Sequence, residues 1–182
     1  MTPPAALETS RLRLRVPRAD DAAALFAAYT ADPEVTRYLS WRPHTSVADT
    51  TRFLHDYCEA GWARGGPYVW LINLAATGAA VGIIDIRPAG HRVEVGYVLG
   101  RRHWGQGLMP EAARAVTDWA IAQPEVHRVW AVCDVDNLAS ARVLEKIGMW
   151  REGVLRAWSV HPNVSPRPRD VWSFARVKEQ AP

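Results

Sequence analysis

The chain has 182 residues, 48% hydrophobic and 23% charged, with a net charge of +3. That length supports one domain with a sizeable core and not two, so a single domain over residues 1–182 is expected. The weak positive charge, with no block of like charges interleaved with aromatics, argues against a nucleic-acid partner and mildly favours small anionic ligands, and no apolar run approaches a membrane span.

Leu12 to Val16 alternates with Arg11, Arg13 and Arg15 and reads as a first strand whose arginines form a solvated face. Asp20 to Tyr29 is alanine-rich behind a good N-cap and reads as a helix. Asp32-Pro33-Glu34 opens a short helical turn, and Trp41-Arg42-Pro43-His44 is a loop. Ser46 to Trp62 reads as a longer helix, stopped by Arg64-Gly65-Gly66-Pro67. Tyr68 to Leu74 and Ala80 to Ile86 form a hairpin across Ala75 to Gly78. Pro88-Ala89-Gly90 then turns the chain into the strand Arg92 to Leu99.

A helix follows from about Met109 to Ala122, with Ala112, Val116, Trp119 and Ala120 on one face. Arg128 to Cys133 is an apolar strand that holds a buried thiol. Asn137 to Ile147 is a short helix with Asn137 at its N-cap, Lys146 in its last turn and Gly148 beyond. Trp150 to Val160 and Asp170 to Val177 are the last strands. Between them, His161 to Arg169 has three prolines and two arginines and reads as a projecting loop. The order β-α-α-β-β-β-α-β-α-β-β predicts one mixed α/β sheet.

The two cysteines, Cys58 and Cys133, support no disulfide framework, and residues 1–6 show no leader pattern, so a cytoplasmic location is the default expectation. The six histidines show neither i, i+4 pairing nor Cys/His clustering, so no metal is expected.

Two features carry chemistry. The first runs from Tyr97-Val98-Leu99-Gly100 through Arg101-Arg102-His103-Trp104-Gly105-Gln106-Gly107-Leu108-Met109-Pro110: an apolar strand enters a basic, glycine-containing loop, which enters a helix. Unpaired N–H groups at a helix N-terminus, beside glycines that let an anion come close, make an anion site. The alternative is a plain strand-to-helix turn. The second feature is a lone acid, Glu94, in the preceding strand. Alternation puts Glu94, Gly96 and Val98 on one face and Val93, Val95, Tyr97 and Leu99 on the other, and Gly96 leaves room beside Glu94.

Three segments together resemble the GNAT (Gcn5-related) N-acetyltransferase superfamily. They are Glu94-Val95-Gly96-Tyr97-Val98-Leu99 with Trp104-Gly105-Gln106-Gly107-Leu108-Met109-Pro110-Glu111-Ala112, then Asn137-Leu138-Ala139-Ser140 through Glu145-Lys146-Ile147-Gly148, and Glu8-Thr9-Ser10-Arg11-Leu12-Arg13 at the start. Within the superfamily the chain is similar to the bacterial branch that acetylates N-terminal α-amines of ribosomal proteins. The general superfamily pattern places the loop motif at Arg102 to Gly107. The branch pattern starts it at Trp104, and this register is preferred because Pro110 then falls in the first helical turn, where its missing N–H costs nothing.

The resemblance implies a GNAT fold: a single mixed, mostly antiparallel sheet of six to seven strands flanked by about four helices. It implies an acetyl-CoA-dependent N-acetyltransferase acting on a primary amine by direct attack in a ternary complex. The acceptor is a ribosomal or other protein N-terminus, or a small-molecule amine. A non-catalytic acyl-CoA-binding module is the other reading, and monomer and homodimer stay open.

In the catalytic reading, Trp104, Gly105, Gln106, Gly107, Leu108 and Met109 cradle the pyrophosphate, with Arg102 as an optional helper. Tyr97, Val98 and Leu99 are among the coenzyme-binding residues, and a backbone N–H of this strand meets the oxyanion if the strand splays from Arg128 to Cys133. Asn137 contacts that arm, and Arg142 and Lys146 meet the 3′-phosphate or form a solvated face. Glu94 is the base, against the alternative of an ion pair with a neighbouring arginine. Many members use a tyrosine where this chain has Leu144. Ser140 is instead the candidate acid, or only a capping hydroxyl. Tyr38, Trp41, Arg42 and His44 wall the acceptor cleft, with Trp70 and the loop His161 to Arg169 as further candidates.

Overall fold

The computed structural model describes residues 1–178. Eight strands form one sheet: β1 (Ala6–Glu8), β2 (Leu12–Arg15), β3 (Tyr68–Leu74), β4 (Ala80–Ala89), β5 (Arg92–Leu99), β6 (Arg128–Asp134), β7 (Trp150–Ser159) and β8 (Arg169–Val177). Their spatial order is β1-β2-β3-β4-β5-β6-β8-β7. Every neighbouring pair is antiparallel except β5 and β6, which run parallel. One strand more than expected is present. Ala6–Glu8 folds back on β2, pairing Leu7 with Leu14; three residues are too few to show alternation in the sequence.

The helices are α1 (Ala22–Leu25), α2 (Pro33–Thr36), α3 (Val47–Phe53), α4 (Ala60–Arg64), α5 (Leu108–Ala122) and α6 (Leu138–Lys146). A π-type turn over Leu54–Glu59 joins α3 to α4, so the helix expected from Ser46 is one rod with a wide middle turn. Ser46 and Asp49 form its capping box, and Gly65 ends it at φ +88°.

Each sheet face has its own core. On one, Leu12, Leu14, Trp70, Ile72, Val93, Val95 and Leu99 pack against Ala112, Ala113, Val116 and Ala120 of α5 and Ala141 and Leu144 of α6. On the other, Val69, Leu71, Ile83 and Val98 pack against Leu25, Tyr29, Leu54 and Cys58. The alternation expected for β5 is therefore observed. It also corrects one expectation, since Trp70 is not an acceptor-cleft residue. It is fully buried under the α5 face, and its indole N–H donates to the Pro4 carbonyl at 3.0 Å.

One departure from a regular sheet positions everything that follows. β5 and β6 pair only at Arg92↔Arg128, Val93↔Val129 and Glu94↔Trp130. β5 continues to Leu99, paired with β4 alone, and β6 continues to Asp134, paired with β8 alone. The two strands splay into a V, and beyond Glu94 the β5 amides on that side have no β6 partner.

Candidate active site

The expected anion loop stands at the open end of the V. Gly105 and Gly107 adopt left-handed φ of +74° and +76°, and Gly107 is the N-cap of α5 with no side chain capping it. The α5 N-terminus therefore presents free amides, and Pro110 falls in the first turn, where it removes no helical bond. Leu108 and Met109 are 4% exposed and anchor the helix in the core while their backbone faces the loop. Trp104 pins the loop by donating its indole N–H to the Leu99 carbonyl at 2.7 Å. The Gln106 side chain donates to the Arg102 carbonyl at 2.9 Å, and the Arg102 side chain is exposed. This arrangement fits a diphosphate: open amides and a positive helix end that begins at Gly107.

Sequence reasoning missed the brace beneath this loop. Arg11 belongs to no solvated strand face; its guanidinium donates to the Gln106 carbonyl at 3.0 Å and to Glu111 at 2.6 Å. Glu111 also accepts from the Thr9 hydroxyl at 2.6 Å and from the Arg11 backbone amide at 2.9 Å. The β1–β2 turn thus locks the first turn of α5. For Arg11→Ala we expect a KM for the coenzyme raised about fivefold, since exposed charge-assisted contacts contribute about 1 kcal/mol, with kcat within twofold. Steady-state kinetics in which only kcat falls contradicts the brace.

Across the V, Asn137 caps α6, its Oδ1 accepting from the Ser140 amide at 3.1 Å. The Ser140 hydroxyl does not cap. It lies 2.9 Å from the Tyr97 hydroxyl, which also reaches the Ser140 carbonyl at 3.2 Å. Burial pushes the Tyr97 phenol well above its usual range, so it stays protonated. Two hydroxyls therefore face each other beside the first turn of α6, where the expected tyrosine position holds the buried Leu144. Arg142 and Lys146 are exposed on α6, and neither side chain forms an ion pair among the described residues.

On the other face of β5 the structure corrects the picture around Glu94. The room beside Gly96 is filled: a Cβ there meets Arg87 Nη1 and Asp85 Oδ2, both at 2.9 Å. Register explains this, since β4 sets Asp85 opposite Gly96 and Arg87 opposite Glu94. Glu94 accepts from Arg87 Nε at 3.3 Å and pairs with Nη2 at 3.0 Å. Arg87 also clasps Asp85. The neighbouring arginine considered for Glu94 is thus present, and a second acid accompanies it. Asp85 is 7% exposed, and burial raises its carboxyl to about 6 against the pull of Arg87.

These groups share a cleft of about 520 Å³ whose lining includes Asp85, Glu94, Tyr97, Asn137, Ser140 and His161. Tyr38, Trp41 and His44, expected there, do line it, together with Phe53 and Tyr57. Trp41 and His44 have ring centroids 4.8 Å apart, and His44 Nδ1 lies 2.8 Å from the Thr50 hydroxyl. Arg42 is exposed outside this cleft. The loop His161 to Arg169 does not project, and only Pro166, Arg167 and Pro168 at its tip are exposed. Its Asn163 side chain donates to the carbonyls of Thr36 at 2.7 Å and Trp41 at 2.8 Å, which folds it onto the aromatic wall. Among the described residues no three His, Cys, Asp or Glu side chains group as a metal requires, and no helix is long and apolar enough to cross a membrane.

Comparison with known proteins agrees with this geometry. Residues 11–150 match the acetyltransferase (GNAT) domain. The chain is 31% identical over 180 residues to the uncharacterized N-acetyltransferase p20 of Bacillus licheniformis, covering 96% of this chain and 97% of that one. A GNAT-family acetyltransferase from Bacillus anthracis superposes with a TM-score of 0.81 at 27% identity, covering 94% of this chain and 98% of that one. The fold is shared with RimL, the ribosomal L7/L12 α-N-protein acetyltransferase solved in complex with coenzyme A, at a TM-score of 0.82 and 21% identity, over 94% and 97% of the two chains. With its split sheet, its loop at the open end and these relatives, the chain belongs to the GNAT family of N-acetyltransferases.

Proposed function

We propose that this acetyltransferase moves the acetyl group of acetyl-CoA directly to a primary amine bound in the same cleft, a protein N-terminal α-amine being the favoured acceptor. One observation carries this reading. The Ser140–Tyr97 hydroxyl pair and the Asp85–Arg87–Glu94 cluster line one cleft between β5 and β6, and the open anion loop follows β5 at the end where the two strands part. The protein acceptor is supported by the fold shared with an α-N-protein acetyltransferase and by a cleft walled with aromatics.

Each group has a task. The amides of Gly107, Leu108 and Met109 and the positive end of α5 hold the pyrophosphate. Unpartnered β5 amides between Val95 and Leu99 donate to the oxyanion as negative charge develops there. The acid pair takes the proton from the incoming ammonium, with Asp85 the more suited because its raised pKa lies closer to neutrality. Glu94 neutralises Arg87 and so keeps Asp85 basic. Ser140, backed by Tyr97 and by the positive end of α6, donates a proton to the departing thiolate.

Thermal unfolding with added coenzyme tests the cradle. Acetyl-CoA at a hundred times its Kd is expected to stabilise the fold by about 2.7 kcal/mol. An unchanged melting temperature at millimolar acetyl-CoA contradicts the proposal.

A further inference from the structure

Among the described residues, His161 is a buried polar side chain of the cleft that the transfer chemistry does not use and that no hydrogen bond satisfies. His161 is 8% exposed, and neither ring nitrogen makes a hydrogen bond. Its polar neighbours are the Asp134 carboxylate, with Oδ2 3.6 Å from Nε2, and the Leu39 carbonyl. Tyr38 meets the ring edge-on at a centroid distance of 6.3 Å. Burying a polar group without a partner is costly, so such a group at a cleft wall is a place where a ligand restores what folding removed.

The ring is held there by a dedicated frame. Arg169 grips Asp134 at 2.6 and 3.0 Å and Asp136 at 2.6 Å, and Asn163 ties the loop to the aromatic wall. Burial keeps the imidazole neutral near pH 7, with Asp134 opposing only in part. A neutral imidazole offers one N–H donor and one acceptor nitrogen. Its place in the V is opposite the acids. Strand pairing ends at Glu94↔Trp130, and Asp134 lies four residues further along β6, about 13 Å toward the open end. An amine between these two ends meets carboxylates on one side and His161 on the other.

We propose that His161 reads a second polar group of the acceptor, a carbonyl or hydroxyl within two or three bonds of the reacting amine. His161 is then a specificity-determining residue, and Asp134, Arg169 and Asn163 are positioning residues. The inference rests on the acetyl-transfer reading above and assigns a residue to its acceptor preference: α-amino amides, the chemistry of a peptide N-terminus, and amino alcohols ahead of plain alkylamines.

Alaninamide, alaninol and isopropylamine test it, because they place the same branched amine beside an amide, a hydroxyl or a methyl group. With acetyl-CoA saturating, His161→Phe is expected to lower kcat/KM about tenfold for the first two, mainly through KM, and to change isopropylamine less than twofold. His161→Gln, which restores a donor and an acceptor, recovers part of the loss. Equal losses for all three amines, or none, overturn the inference and leave the acetyltransferase reading standing. If the wild-type enzyme acetylates none of them, the inference falls, and the acetyltransferase reading is decided separately by a peptide with a free N-terminus. A measurement on the wild-type protein covers a Phe variant that does not fold. The nitrogen NMR resonances of the His161 ring are expected to shift on adding alaninamide with coenzyme A bound, and not on adding isopropylamine. Resonances that ignore alaninamide overturn the inference.

Discussion

Asp85→Asn is expected to lower kcat about a hundredfold or more while leaving the melting temperature at neutral pH unchanged or higher. The first effect follows from removing the proton acceptor, since general-base groups contribute about 10²–10⁴ in rate. The second follows from linkage. Burial raises the Asp85 carboxyl to about 6 in the folded protein, above its value in the unfolded chain. Between those two values the folded state binds more protons, so stability falls as pH rises through this window and the ionised carboxylate is a net cost at neutral pH. A neutral amide of the same shape removes that cost, and Arg87 keeps Glu94 as its partner. Wild-type activity is likewise expected to decline below about pH 6 as Asp85 takes up its proton. Kinetics and calorimetry on one variant preparation decide the matter. If Asp85 is only half of a structural ion pair, the variant melts lower and turns over normally. Glu94→Gln is expected to be milder than Asp85→Asn, because Glu94 acts through Arg87.

Gly107→Val is expected to weaken coenzyme binding about a hundredfold and to lower the melting temperature by a few degrees. Gly107 has φ +76°, where a β-branched residue is strained by about 1–2 kcal/mol; for a chain of this size that is roughly 2–8 °C. Its Cβ also stands 3.5 Å from Arg11 Nη2, so the added methyls press on the brace that holds the loop. The same side chain covers the amides meant for the pyrophosphate. Gly105→Ala is the control. Gly105 has a similar φ of +74° but empty space around its Cβ, so it carries strain without obstruction. Equal coenzyme affinity in Gly107→Val and wild type, by calorimetric titration, contradicts the cradle.

The legible parts of this site are those fixed by local sequence. Gly107 and Pro110 mark the start of α5 because left-handed φ and a missing N–H are chemical properties of those residues. Asn137 is identifiable as the α6 cap for the same reason. The obscure parts depend on pairing between segments. Asp85 sits in a strand that reads as simply apolar. Its importance appears only when the short turn after Pro88 sets the β4–β5 register, which brings the acids of Asp85-Ile86-Arg87 and Glu94-Val95-Gly96 onto one arginine. Pro88-Ala89-Gly90 is the signal in the sequence, but the turn itself is Gly90-His91, and Pro88 and Ala89 belong to β4, paired with Val93 and Arg92. Trp70 lies in a strand that is apolar on both sides, so alternation could not say which face its indole takes. Arg11 looks like any exposed strand arginine until Glu111, far along the chain, is brought beside it. His161 follows a strand and precedes prolines, a pattern that reads as a projecting loop. Its burial comes from Asn163 reaching Thr36 and Trp41.

The central claim is that the V between β5 and β6 brings a thioester and an amine together for direct transfer. The most direct measurement incubates the purified protein with acetyl-CoA and a peptide bearing a free N-terminus, and follows free thiol and N-acetyl product together. Equal amounts of both, formed at a rate that Asp85→Asn lowers about a hundredfold, are the expected result. Acetyl-CoA that binds tightly but yields neither product nor thiol above the uncatalysed rate, with peptide or small amine, contradicts it.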